Sequence, residues 1–181
     1  MNYYIDFDNT LYNSSLLEEK MLNLIVETAC TQKEFDKKSL FDECKSIFNR
    51  EHIYDIYKLV DYLSNKYTLD KNPIIASLNH LILNSNDLVF NDCVEFFKKL
   101  HEQNHNIYLF THAISNKYQA AKILGSGLAD FFDGIFITSK PKYELNIDYA
   151  NGIFIDDNPE DLLGLYSKNV KKLIRLRRER K

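Results

Sequence analysis

At 181 residues the chain is long enough for one sizeable hydrophobic core, with room for a smaller inserted module. A formal net charge of -3 gives no footprint for a nucleic-acid polymer, and no apolar run reaches the length that crosses a bilayer. Cys30, Cys44 and Cys93 are an odd number without metal-ligand spacing, so they read as reduced thiols in a cytoplasmic protein.

The first predicted element is a strand over Tyr3, Tyr4 and Ile5, apolar on both faces as a central parallel strand requires. A core strand there leaves no place for a cleaved signal peptide. The strand gives way to Asp6-Phe7-Asp8-Asn9-Thr10. In an extended chain residues two apart point the same way, so Asp6 and Asp8 are expected to converge on one spot. Two carboxylates that close repel unless a cation or a proton intervenes, and Mg²⁺ is a hard ion held by such oxygens. Asn9 and Thr10 suit the turn that follows. Read alone, the same five residues also describe a loop with surface acids.

From about Ser14 to Asn86 the periodicity is helical, and the chain as a whole has only five Gly and three Pro. Leu16, Leu17, Met21, Leu24, Ile25 and Thr28 mark a first helix, capped by Ser14 or Ser15. A second carries Leu40, Phe41, Cys44, Ile47 and Phe48. A third carries Ile53, Ile56, Tyr57, Val60 and Leu63. A fourth is predicted to begin after Pro73 and carries Ile75, Leu78, Leu81 and Ile82. Four short amphipathic helices make a small bundle.

After Asp87 strands and helices alternate. Asp92 is a candidate cap for a helix through Val94, Phe97 and Leu100. The buried run Ile107 to Phe110 ends in Thr111-His112, and Ser115 opens a helix that Gly125 and Gly127 stop. Ile135 to Ile137 runs into Thr138-Ser139-Lys140-Pro141-Lys142. Ile153 to Ile155 runs into Asp156-Asp157-Asn158-Pro159 and a helix through Leu162 and Leu165. Lys172 to Ile174 forms the last strand, ahead of a basic tail that reaches Lys181 and suggests no role by itself. Short buried strands alternating with helices predict an α/β fold with a parallel sheet, whose ligands bind at the carboxyl ends of the strands. Four of those ends carry groups that can handle a phosphate and its metal: Asp6 with Asp8, Thr111, Lys140, and Asp156 with Asp157.

These four motifs, in this order, resemble those of the haloacid dehalogenase (HAD) superfamily of phosphohydrolases. The resemblance covers Asn2 to Tyr12 and about Asp87 to Leu176. It implies a Rossmann-like core over 1–13 and 87–181, with a C1-type helical cap inserted over 14–86. It also implies that Asp6 is the nucleophile and Asp8 the general acid/base, with Mg²⁺ held by Asp6, the Asp8 carbonyl and Asp157. Asp156 and Asp161 would sit behind them. Thr111 and His112 would meet the phosphate, His112 standing where the family often has Asn. Lys140 would neutralise charge on the phosphoryl group, the Lys-Pro pairing favouring it over its rival Lys142. The stretch from Lys140 to Asp156 is short for a family that commonly fits a full helix there.

Asp8 favours phosphate-ester hydrolysis or phosphoryl transfer over dehalogenation. Asp-Asn-Thr-Leu-Tyr resembles pyrimidine 5′-nucleotidase-like members, which points to a nucleoside monophosphate among small phosphorylated metabolites. A phosphomutase of the same family, an inactive HAD-fold binding protein and a receiver-like phosphoacceptor are the rival readings.

Overall fold

The apolar runs pair as parallel strands because each is separated from the next by enough chain to cross back over the sheet. A computed structural model describes residues 1–50, 55–145 and 147–178. Five strands, β1 (Asn2–Ile5), β2 (Asn106–His112), β3 (Gly134–Thr138), β4 (Ile153–Asp156) and β5 (Lys172–Arg175), form one parallel sheet in the order β3-β2-β1-β4-β5. Ile5 is in register with Leu109 of β2 and Ile155 of β4. Asp6 follows that row directly at the carboxyl edge of the sheet, while β2 runs on to His112 beside β3 and β4 to Asp156 beside β5. The Asp6 N–H still donates to the Ile155 carbonyl at 2.9 Å, so the first acid is fixed by the sheet itself.

The chain divides into two units, Met1–Ser14 with Asn86–Lys181, and Ser15–Ser85. The first holds the sheet with α5 (Cys93–Glu102), α6 (Asn116–Ser126) and α7 (Pro159–Leu165). Its core is largely aromatic: Tyr4 stacks on Phe154 with ring centroids 4.7 Å apart, and Phe110 and Tyr149 pack around them. Gly164 of α7 is needed for close approach, because a Cβ there would fall 2.0 Å from the Tyr143 ring. Gly164→Ala should destabilise the protein by about 1–3 kcal/mol, the usual range for overpacking, and thermal denaturation would register it.

The second unit contains nearly all of α1 (Ser14–Gln32) and the whole of α2 (Lys37–Arg50), α3 (Ile56–Tyr67) and α4 (Lys71–Leu83). Ile53 and His52 lie outside the described residues, and α3 opens at Ile56, where the Asp55 carboxylate caps the Tyr57 N–H. The fourth helix starts earlier than Pro73. Asp70 caps it, and Pro73 sits in the first turn, where its missing N–H has no intrahelical partner to lose. Gln32 ties α1 to this cap through both its amide nitrogen and oxygen, at 2.9 and 2.7 Å from the Asp70 backbone. No helix among the described residues is long and apolar enough to cross a membrane.

Asp92 precedes α5 but makes no capping hydrogen bond. Its carboxylate is taken instead by Arg178, whose guanidinium donates to both oxygens at 2.9 and 2.8 Å. A charge-assisted pair of that kind, both bonds coming from Nη1, outcompetes a cap onto a neutral backbone N–H.

Candidate active site

The loop after β1 positions both acids. The Phe7 carbonyl accepts the N–H groups of Thr10, Leu11 and Tyr12, and Asn9 takes a left-handed conformation with φ 55°. Asn tolerates that region better than most side chains, which accounts for its place there. Phe7 is buried against Tyr12, their centroids 4.9 Å apart. Because β1 ends at Ile5, the extended geometry does not continue through both acids. Each acid meets its own lysine.

Asp6 faces Lys142. The Lys142 ammonium lies 2.6 Å from Asp6 Oδ1, 2.6 Å from Asp156 Oδ2 and 3.8 Å from Asp161 Oδ2. Its side chain is only 2 % exposed. Lys140, the lysine the sequence favoured, is instead exposed and makes no ion pair among the described residues. The reason is local backbone chemistry. Thr138 Oγ1 donates to the Lys140 carbonyl and accepts its N–H, both at 3.0 Å, holding Lys140 on the surface. Pro141 then turns the chain into a single 3-10 turn over Lys142–Glu144, which carries Lys142 inward. The Tyr149 hydroxyl secures that turn, its single O–H lying within hydrogen-bond distance of both the Lys142 and Leu145 carbonyls, at 2.6 and 2.7 Å. The short stretch before Asp156 thus manages with one turn where a full helix was the family expectation.

Asp8 faces Lys122, a residue of α6 that the motifs do not include. The Lys122 ammonium is 2.5 Å from Asp8 Oδ1, and Ser14 Oγ donates to the same oxygen. Gln119, one turn earlier on α6, donates to Asp8 Oδ2 at 2.8 Å and to Thr111 Oγ1 at 2.9 Å. Thr111 is fully buried at the end of β2 and is linked to the general acid/base candidate through that one amide. A sequence signal for Lys122 existed. Tyr118, Gln119, Lys122, Ile123 and Ser126 form the buried stripe of α6, at the 3–4 residue spacing of one helical face. A lysine in such a stripe needs a buried partner.

His112 ends β2 opposite Thr138 and is exposed. Asp161 accepts from the Asn158 side chain at 3.2 Å and completes the ring of acids around Lys142.

Asp6, Asp156 and Asp157 each offer a carboxylate oxygen, and these lie within 4.8 Å of one another. The Asp8 carboxylate is not in that group, since its oxygens are turned to Lys122, Gln119 and Ser14. Burial pushes Asp6 up to about 7, against the pull of Lys142 and with further upward pressure from Asp156 and Asp8. Burial likewise raises Asp156, against Lys142. Asp157 is raised by burial and by the neighbouring Asp6. Asp8 is the opposite case: burial pushes it up, but Lys122, Ser14 and Gln119 together hold it below the ordinary carboxylate range. Lys142 pairs with only Asp6 and Asp156 of the trio, so when all three acids are ionised the trio carries an excess of negative charge. A hard divalent cation fits that oxygen donor set and would relieve the repulsion.

Neither a protein-family model nor a curated protein sequence matches the chain. Solved structures do. A HAD phosphatase from Thermococcus onnurineus superposes with a TM-score of 0.65 at 16% identity, covering 99% of this chain and 88% of its own. A haloacid dehalogenase-like hydrolase candidate from Burkholderia xenovorans gives a TM-score of 0.69 at 14% identity, over 96% of this chain and 80% of its own. This chain has the haloacid dehalogenase fold. A HAD-hydrolase candidate from Bacillus subtilis, solved with magnesium bound, shares the HAD fold at a TM-score of 0.60 and 17% identity, over 94% of this chain and 84% of its own.

Proposed function

We propose that the protein is a magnesium-dependent phosphatase that hydrolyses a small phosphomonoester through an aspartyl-phosphate. The observation that carries this reading is the meeting of Asp6, Asp156 and Asp157 with the buried Lys142 at the carboxyl edge of a HAD-fold sheet. Magnesium would be held by Asp6, Asp157 and the Asp8 carbonyl, and when bound it supplies positive charge that lets an anionic nucleophile approach an anionic phosphate.

In this reading an Asp6 oxygen attacks phosphorus and the ester P–O bond breaks. Asp8, whose ionised form Lys122, Ser14 and Gln119 favour, takes up a proton from solvent before it gives one to the departing alkoxide, then takes one from the water that cleaves the acyl phosphate. Lys142 holds Asp6 in place and neutralises charge that builds on the phosphoryl group, the role first expected of Lys140. Thr111 and the His112 backbone would meet phosphate oxygens. Gln119 holds Thr111 and Asp8 at a fixed separation.

A nucleoside monophosphate is our proposed substrate, on the wording of the first motif. A phosphomutase reading draws support from a β-phosphoglucomutase candidate from Thermotoga maritima, which shares the fold at a TM-score of 0.68 and 11% identity, over 99% of this chain and 87% of its own. The free thiols fit a reducing, cytoplasmic setting.

Turnover of p-nitrophenyl phosphate with Mg²⁺, lost on chelation, is the expected result. A protein that accepts phosphate from acetyl phosphate and keeps it without turnover would overturn the phosphatase reading in favour of a phosphoacceptor. Asp8→Asn should lower kcat about 10²–10⁴-fold, the usual range for losing a general acid/base. Its Mg²⁺ affinity by calorimetry should stay within about threefold of wild type, because the metal contact assigned to Asp8 is through its backbone. Loss of Mg²⁺ binding in that variant would contradict the assignment.

A further inference from the structure

Beside the acidic trio lies a second feature that the proposed chemistry does not use. A cavity of about 220 Å³ opens between the loop after β1 and the chain beyond β5, lined by Asn9, Asn13, Asp157, Arg175, Arg177 and Arg178 among others. Whole small-molecule sites run to roughly 300–1,000 Å³, so this one is sized for a single small group and not for an entire ligand.

Its arginines differ in what they have left to offer. Arg178 is committed: it pairs with Asp92, donates to the Thr10 carbonyl at 2.9 Å, and lies 4.4 Å from the centroid of the Phe90 ring. It pins the chain after β5 against the loop after β1 and so forms the cavity wall. The Leu176 N–H also donates to the Asp156 carbonyl at 2.9 Å, carrying the sheet ladder one residue past β5. Arg175 and Arg177 remain exposed, and among the described residues neither has an acidic side-chain partner. The Arg175 Nε–H donates only to the Asp157 backbone carbonyl, at a long 3.4 Å. Two uncommitted guanidinium groups on a wall fixed by a third describe an anion site, since their planar forks match carboxylate and phosphate oxygens.

The cavity's inner edge is Asp157, one of the three acids that converge near Asp6, and Asn9 directly follows Asp8. We infer that this cavity is a subsite for a second anionic group, phosphoryl or carboxylate, carried by the same substrate whose phosphoryl group reaches Asp6. The inference rests on the phosphatase reading for the first group, and it replaces the nucleoside monophosphate with esters that carry a second negative charge a few bonds from the scissile phosphate. The shared chemistry could also come from a free anion, which the test separates.

The full-length protein with Mg²⁺ is titrated calorimetrically with propane-1,3-bisphosphonate and with propylphosphonate, which cannot be hydrolysed. The bisphosphonate should bind about tenfold tighter with one molecule per chain, the effect of one added charge-assisted pair at a partly exposed site. Arg175→Gln with Arg177→Gln should bring that ratio close to one, and raised salt should shrink it. Equal affinities in the wild type, or a ratio that survives the double substitution, would overturn the subsite. Two propylphosphonates bound per chain, with no advantage for the linked compound, would overturn it in favour of a free-anion site. Turnover of p-nitrophenyl phosphate by the same preparation reports on the first reading separately. A preparation that hydrolyses the ester but shows no preference sinks the subsite alone; one that shows the preference without hydrolysis keeps the anion site and sinks the phosphatase.

Discussion

Asp6→Asn is expected to lower turnover of p-nitrophenyl phosphate by about 10⁴-fold or more, the scale on which losing a covalent nucleophile acts. The substitution keeps the size of the side chain and removes its charge. An amide oxygen can still accept from Lys142, so the fold should hold, with the circular dichroism spectrum and Tm close to wild type. That combination separates chemistry from structure. Asp6 is nearly fully buried and its neighbours drive its pKa upward, so removing its charge relieves repulsion with Asp156 and Asp157. A variant that keeps even a tenth of the activity would mean that the nucleophile lies elsewhere.

Lys142→Met should have the largest effect on stability. The ammonium is the only cation within ion-pair distance of both Asp6 and Asp156 among the described residues, and deleting one member of a buried cluster typically costs about 3–5 kcal/mol. The loss should depend on pH with a definite sign. The folded-state pKa values of Asp6 and Asp156 already lie above the ordinary carboxylate range, and without the lysine they rise further. A group whose folded pKa is raised contributes stability below its unfolded pKa and loses that contribution as pH rises through the folded pKa. The variant's deficit in Tm should therefore be small near the ordinary carboxylate pKa, grow through about pH 7 and above, and shrink when Mg²⁺ is added. A pH-independent deficit would show that Lys142 acts through packing alone. Lys140→Met, by contrast, should leave both stability and activity close to wild type, because its side chain is exposed and makes no ion pair among the described residues.

The contrast between these two lysines shows where sequence reading runs out. The parallel sheet was legible because five apolar runs with intervening helices admit few other arrangements, and the acids at their ends followed from where each run stopped. Choosing between Lys140 and Lys142 turned on two hydrogen bonds of Thr138 and the turn after Pro141, which no periodicity records. Lys122 and Gln119 lie on α6, away from any motif, and gain their importance only when that helix packs beside the loop after β1. The helical stripe held the clue, in a lysine on a buried face. Asp92 looked like a helix cap until Arg178, 86 residues away, took its carboxylate. Local wording predicts local partners well, and a distant guanidinium is outside its reach.

The order of these groups along the chain also bears on the rival phosphoacceptor reading. Receivers place the acceptor and the acidic pair on separate strands, whereas here both motif-one acids follow β1, and the second pair stands at the end of β4, Asp156 being its last residue. The proposed function therefore expects a transient aspartyl-phosphate at residue 6. Quenching the enzyme during turnover of a phosphate ester and reducing the denatured protein with borohydride would convert such an acyl phosphate to homoserine. Mass spectrometry should then find homoserine at position 6 and nowhere else, dependent on substrate and Mg²⁺. Homoserine at another aspartate, or turnover with no reducible intermediate at Asp6, would contradict the account.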